Sequence, residues 1–184
     1  MIRKNFIRSD FMATEINGTD KNQLACRKQE ELVPALSGRE LVGILKEDTC
    51  KQLIREAIDS LNYSYTPYSE FKVGAALLTK DYQIVKGCNI ENASYTPTNC
   101  AERTAFFKAI SEGKKDFLAI AIVGGKNGVL SDYCPPCGVC RQVMMEFCNP
   151  KSFLVILAKS ENDYWIYTLE ELLPMGFSPL NLNK

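Results

Sequence analysis

Apolar side chains between residues 37 and 61 recur at three- and four-residue spacings, at Leu41, Ile44, Leu45, Leu53, Ile54, Ala57, Ile58 and Leu61. That spacing predicts an amphipathic helix, with Ser37 as its cap. The run Tyr-Thr-Pro-Tyr-Ser at 65–69 ends it. Phe71 to Thr79 then reads as a strand, Asp81 as a turn, and Gln83 to Asn89 as the hairpin partner. Residues 89–99 are too polar and broken for either regular element and read as a loop. Helical spacing returns from Cys100 to about Glu112, where Gly113 closes the helix. The run Phe117-Leu-Ala-Ile-Ala-Ile-Val123 is nearly all apolar, the pattern of a strand covered on both faces. A loop follows, then a helix from about Cys137 to Phe147 and a strand from Ser152 to Ala158. Tyr164 to Tyr167 forms a short last strand, and Thr168 caps a short helix through Leu173. Elements in this order predict a single α/β sandwich with helices on both faces of the sheet.

Residues 1–36 lack sustained periodicity and mix charges with Asn, Gly and Thr, so they read as a mostly disordered extension before a domain at 37–184. The basic start Met1-Ile-Arg-Lys-Asn-Phe-Ile-Arg8 has the charge of a weak organelle presequence, but Asp10 and Glu15 soon interrupt it. Met12 offers an alternative start. The chain of 184 residues suits one domain with a substantial core. Lys plus Arg and Asp plus Glu balance at 22 each, so no global field draws nucleic acid or a membrane surface. No run nears the roughly 18 apolar residues of a membrane span. In a chain this long and regular, eight cysteines read as reduced thiols rather than staples of a small secreted scaffold. The expected location is therefore cytoplasmic.

Histidine is absent from the sequence. This excludes serine–histidine hydrolases, cysteine–histidine proteases and histidine-ligated zinc enzymes. A metal must be held by thiolates or acidic oxygens, and proton transfer near neutral pH falls to a carboxylate, lysine, tyrosine or thiol. Cys137 and Cys140 show the two-residue gap of zinc sites, and Cys100 lies at another predicted helix start. Three protein ligands leave one coordination position open, which is what a catalytic zinc needs for water. Glu102 is then the group placed to move protons. Zinc with three thiolates carries a formal charge of about −1, against which each helix start offers about half a positive charge and Arg103 a full one.

Each of these residues also has a plainer reading. Arg103 fits a solvated surface charge, Asn89 and Glu91 fit turn chemistry, and Phe71 fits a strand in the core. Cys50 and Cys88 read as small buried core residues, and Cys26 has no evident partner. Cys134 forms an equally spaced run with Cys137 and Cys140, and a fourth sulfur would close the site to water. The stiff pair Pro135-Pro136 points the preceding loop away from the helix start and argues against that.

Cys-Ala-Glu-Arg at 100–103 together with Pro-Cys-Gly-Val-Cys-Arg-Gln at 136–142 resembles the free-nucleoside cytidine deaminases. The resemblance extends over Pro67-Tyr-Ser-Glu-Phe-Lys-Val-Gly-Ala-Ala-Leu-Leu78, Gly87-Cys-Asn-Ile-Glu-Asn-Ala93 and Leu172-Leu-Pro174, covering roughly residues 38–180. It implies a three-layer α/β/α sandwich with a mixed sheet, and zinc on Cys100, Cys137 and Cys140. In the scheme known for zinc deaminases, Glu102 takes a proton as hydroxide attacks C4 of cytosine, protonates N3 and helps ammonia leave. The product is uridine from cytidine, or deoxyuridine from deoxycytidine, in pyrimidine salvage. The resemblance further implies ribose contacts from Asn89 and Glu91, packing of Phe71 on the base, and a backbone contact from Ala101. It implies a homotetramer in which Tyr95 and Phe177 reach into a neighbour's pocket. The loop Tyr95-Thr-Pro-Thr-Asn99 departs in composition from commoner members. Cys134 is a second departure.

Other readings compete with this one. A polynucleotide cytosine deaminase is disfavoured by cysteine in place of histidine before Ala-Glu, by zero net charge, and by the diol-reading Asn-x-Glu. A non-catalytic zinc module has no use for Glu102. A deaminase of aminonucleoside antibiotics would share the zinc chemistry and differ in its substrate contacts.

Overall fold

The computed structural model describes residues 45–182. The expected extension at 1–36, Cys26, the cap at Ser37, and Leu41 and Ile44 lie outside the described residues. Helix α1 spans Glu47–Ser60 and continues into a tighter turn at Leu61–Tyr63. The apolar spacing carries the helix through Leu45, but Leu45 is buried ahead of it and Lys46 is extended (ψ 143°). Glu47 and Asp48 occupy the first turn, where the helix dipole favours acids, so charge rather than apolar spacing marks this start.

Strands β1 (Phe71–Thr79) and β2 (Ile84–Cys88) form the expected hairpin, with Gly74 opposite Cys88 and Leu78 opposite Ile84. Its turn is held by Thr79, whose hydroxyl bonds Asp81 and accepts from the Gln83 N–H at 2.9 Å. Helix α2 (Ala101–Ser111) follows, and Gly113, just past its end, takes φ +83°. Then come β3 (Phe117–Lys126), α3 (Gly138–Phe147), β4 (Leu154–Ser160), β5 (Asp163–Thr168) and α4 (Leu169–Leu172). Thr168 and Glu171 form a reciprocal capping box at the start of α4.

The sheet runs β2-β1-β3-β4-β5. Among the described strands of this sheet, β3 and β4 are the pair that runs parallel, and α3 makes the crossover between them, as a parallel pair requires. Strand alternation divides the core between the two faces. Ala75, Leu77, Ile120, Ile122, Val155 and Leu157 pack with Ala105, Phe106, Cys140 and Met144 of α2 and α3. Ala76, Leu78, Ala119, Ala121, Val123 and Ile156 meet Leu53, Ile54 and Ala57 of α1 on the other side. The result is a three-layer α/β/α sandwich on a mixed sheet. Gly87 lets α2 lie against β2: a Cβ there would sit 2.3 Å from the Ala101 carbonyl oxygen and 2.5 Å from the Ala105 nitrogen. That close approach fixes where α2 begins.

Candidate active site

Cys100 and Cys137 occupy the N-cap positions of α2 and α3, so both sulfurs stand at helix starts, as the sequence predicts. Cys140 lies one turn into α3, and its N–H donates to Cys137 Sγ at 3.5 Å. The three sulfurs lie within 4.8 Å of one another, although Cys100 and Cys137 are 37 residues apart in sequence. Cys100 Sγ is 3.9 Å from Cys137 Sγ, and Cys137 Sγ is 3.5 Å from Cys140 Sγ. Tetrahedral zinc with sulfurs at about 2.3 Å sets neighbouring sulfurs about 3.8 Å apart, so these two spacings fit to within about 0.3 Å. The donor set fits as well, because three sulfurs leave one tetrahedral position open.

Cys134 does not join them. Its sulfur lies against the backbone of β3, where a Cβ on Gly124 would be only 2.9 Å away. Burial pushes the Cys134 thiol up to about 12, with the charges of Glu102 and Cys100 adding to the shift.

Glu102 sits in the first turn of α2 with only 4 % of its surface exposed. Burial pushes its carboxyl up to about 7, partly offset by a backbone hydrogen bond and reinforced by the charge of Cys100. A carboxyl near neutrality can both accept and return a proton. Cys100 moves the opposite way, well below the ordinary thiol range, through hydrogen bonding from Cys140 and from Arg103. The same Cys140–Cys100 bond, with burial, pushes Cys140 up.

Arg103 is half-buried rather than a free surface charge. Its Nη2 donates to the Thr98 carbonyl at 3.0 Å and to Cys100 Sγ at 3.7 Å, while Nε is buried with no hydrogen-bond partner. Ala101 is fully buried directly beneath the helix start. Asn89 turns its side chain onto β1: Nδ2 donates to the Phe71 carbonyl at 2.8 Å, and Oδ1 accepts from the Val73 N–H at 2.9 Å. Glu91 accepts from the Tyr68 N–H at 2.9 Å, from the Ser69 N–H at 3.3 Å and from the Ser69 hydroxyl. The turn chemistry expected as an alternative is thus present, and each side chain keeps bonding capacity beyond it. Phe71 is 40 % exposed at the start of β1, so it is not a core residue. Tyr95 is 74 % and Phe177 57 % exposed.

Cys50 is fully buried, as expected, but Cys88 is only half-buried. It lies at the end of the edge strand β2, where its thiol approaches the Tyr63 carbonyl at 3.2 Å. Sequence reasoning assigns no role to Gly87 or Thr98. Gly87 could have been suspected from glycine within a strand, a mark of close backbone approach. Thr98, which offers Arg103 a carbonyl, leaves no sequence signal.

The family model of the cytidine and deoxycytidylate deaminase zinc-binding region matches residues 47–156. The chain belongs to that family. Zinc is the metal of the matched region. The chain is 50 % identical over 133 residues to a cytidine deaminase of Halalkalibacterium halodurans, covering 72 % of this chain and 97 % of that protein. A probable cytidine deaminase of Dictyostelium discoideum is 38 % identical over 138 residues, covering 75 % and 90 % respectively. The crystal structure of a cytidine deaminase from Burkholderia pseudomallei superposes with a TM-score of 0.63 at 44 % identity, over 68 % of this chain and 97 % of that one. Among the described residues, no helix is long and apolar enough to cross a membrane.

Proposed function

We propose that this chain hydrolytically deaminates cytidine and deoxycytidine to uridine and deoxyuridine with release of ammonia, a step of pyrimidine salvage. The observation that carries the reading is the buried acid Glu102 in the first turn of the helix whose cap is Cys100, beside three grouped sulfurs. Cys100, Cys137 and Cys140 hold zinc. Zinc held there supplies Lewis acidity that makes water nucleophilic near neutral pH.

The protein's own groups do the rest. Glu102 takes one proton from the attacking water and delivers it to N3 of cytosine as the new C4–O bond forms. It passes the second proton to the exocyclic amine as the C4–N bond breaks, so uridine keeps the proton on N3 and ammonia leaves. Arg103 and the two helix starts offset the negative charge of the sulfurs. Phe71 packs on the base, the backbone at Ala101 holds the ring, and Asn89 and Glu91 read the ribose. With its existing bonds, Asn89 retains one amide hydrogen as a donor and Glu91 roughly one of about four acceptor positions, which suits a diol.

Four subunits complete one another's pockets in this reading, with Tyr95 and Phe177 reaching across. The large exposures of both rings support it, since an aromatic side chain of this size gains from being covered. Sizing the native protein tests this point, and a monomer overturns it. A cytoplasmic location belongs to the same reading, because zinc-holding thiolates must be kept reduced.

The reaction is tested with purified protein and cytidine. The cytidine absorbance band should decay with stoichiometric ammonia release, and a chelator-stripped sample should be silent until zinc is returned. Bound zinc without turnover on cytidine or deoxycytidine would overturn the assignment.

A further inference from the structure

The two residues expected to read the sugar and the base, Glu91 and Phe71, are joined by one side chain to which sequence reading assigns no role. Ser69 donates its hydroxyl hydrogen to Glu91 Oε1, and its oxygen accepts the Phe71 N–H at 3.0 Å. The backbone N–H groups of Tyr68 and Ser69 close on Glu91 Oε2. This Ser69 hydroxyl is the link between the carboxylate and the strand start. Its one hydrogen is spent on the acid, so the group has a fixed orientation.

The segment around it is held against strain. Glu70, between Ser69 and Phe71, has φ +57°, a conformation that L residues other than Asn and Asp rarely keep without support. Its N–H donates to the Thr66 carbonyl at 3.2 Å, and its carbonyl accepts from the Asn127 N–H at 2.7 Å. Phe71 is pinned from the other side as well, where its carbonyl accepts from Asn89. Hydrogen bonding from Ser69 also holds the Glu91 carboxyl below its ordinary range.

We propose that Ser69 is a positioning residue for nucleoside recognition: it sets the Glu91 carboxylate for the ribose hydroxyls and the Phe71 ring for the base in one register. The inference rests on the cytidine deaminase reading. Ser69 is exposed and touches neither the sulfurs nor Glu102, so its loss leaves the zinc chemistry in place.

The experiment compares the wild type with Ser69→Ala, Ser69→Cys and Ser69→Thr on cytidine and on 2′,3′-dideoxycytidine, with zinc content measured for each. Ser69→Ala should raise KM for cytidine about tenfold, as loss of a hydrogen bond to a charged group does, with kcat changed less than about twofold. The ratio of kcat/KM between cytidine and the dideoxy substrate should fall by a similar factor, because only cytidine offers Glu91 a hydroxyl. Ser69→Cys should behave like Ser69→Ala, and Ser69→Thr should restore the ratio. An unchanged ratio in Ser69→Ala overturns the proposal, as does a fall in kcat with KM unmoved. Loss of zinc or of folding in both Ser69→Ala and Ser69→Cys overturns it too, by showing a structural role. An inactive zinc-loaded wild type strikes at the deaminase reading itself, which is a different result from an active enzyme whose discrimination ignores Ser69.

Discussion

Replacing Gly87 by alanine puts the attachment of α2 to β2 to a direct test. The added Cβ would lie 2.3 Å from the Ala101 carbonyl oxygen, 2.5 Å from the Ala105 nitrogen and 3.0 Å from the Ala105 Cβ. The first two of these are backbone atoms, so no rotamer change relieves the clash. Restoring ordinary contact requires the start of α2 to retreat by about 1 Å. Cys100, Ala101 and Glu102 all ride on that turn. Zinc ligand distances tolerate only about 0.2 Å, and a misplacement of about 1 Å in a reacting group can lower activity about a hundredfold. Overpacking of this kind costs about 1–3 kcal/mol, which lowers Tm by roughly 2–12 °C in a chain of this size. The assays are zinc content, kcat/KM with cytidine, and thermal melting of the same preparation. Gly87→Ala should bind less zinc, melt lower and lose about a hundredfold in kcat/KM. Because β2 lies at the sheet edge, it is the other element able to yield. A variant that melts lower yet keeps full zinc and activity within about threefold would show that β2 gives way instead, refuting the claim that Gly87 sets the site.

Glu102→Gln should keep zinc and fold but lose about 10²–10⁴ in kcat, the usual contribution of a positioned acid–base group, and unchanged turnover would remove Glu102 from the reaction. Cys134→Ser should retain one zinc per subunit and activity within about threefold, because the sulfur packs on Gly124 outside the sulfur group; loss of zinc in atomic emission measurements would make Cys134 a ligand. Glu91 has its folded pKa lowered by Ser69 and by the Tyr68 N–H, so its contribution to stability is present above the ordinary carboxyl value and is lost as pH falls through the lowered one. The Tm difference between wild type and Glu91→Gln should therefore be full at pH 7 and shrink below about pH 4; a difference that grows in acid would contradict the hydrogen-bond geometry.

Local chemistry made most of the architecture legible. The span of β1 at Phe71–Thr79 and the starts of α2 and α3 follow from alternation, turn residues and helical spacing, and the two thiol groups stand at helix N-caps as expected. Expectations failed where the decisive contact joins distant segments or where charge overrides apolar spacing. The helix expected from Ser37 is described only from Glu47, with Lys46 extended ahead of it and acids in its first turn. Cys88 is apolar enough for a core, yet its position at the end of an edge strand leaves it half-buried. The bonds from Glu91 to Ser69 and Tyr68 span 22 and 23 residues, and no periodicity within either segment announces them. Exposure of Phe71 follows from the same cause, because it stands at the mouth of β1 and not in the middle of the sheet.

The use of one guanidinium to serve both the sulfurs and the loop before them has a consequence for how the site is kept in register. Without histidine, the sulfurs grouped here could hold a metal only as thiolates, and the buried carboxyl of Glu102 stands beside them. Arg103 answers from within the first turn of α2, one residue after that acid. Its Nη2 reaches Cys100 Sγ and also the carbonyl of Thr98, near the end of the loop that begins with Asn89 and Glu91. Asn99 closes the loop by pairing its backbone with Ile90 in both directions, at 2.9 Å each way. The Cys100 sulfur, the guanidinium beside it, and the residues proposed to read the sugar are therefore parts of one hydrogen-bonded segment from 89 to 103. A displacement of the loop would pull on the guanidinium and so change the field at Cys100. In the proposed reading, sugar recognition and the electrostatics of proton transfer would meet at Arg103, and the backbone pair of Asn99 with Ile90 closes the loop just before Cys100.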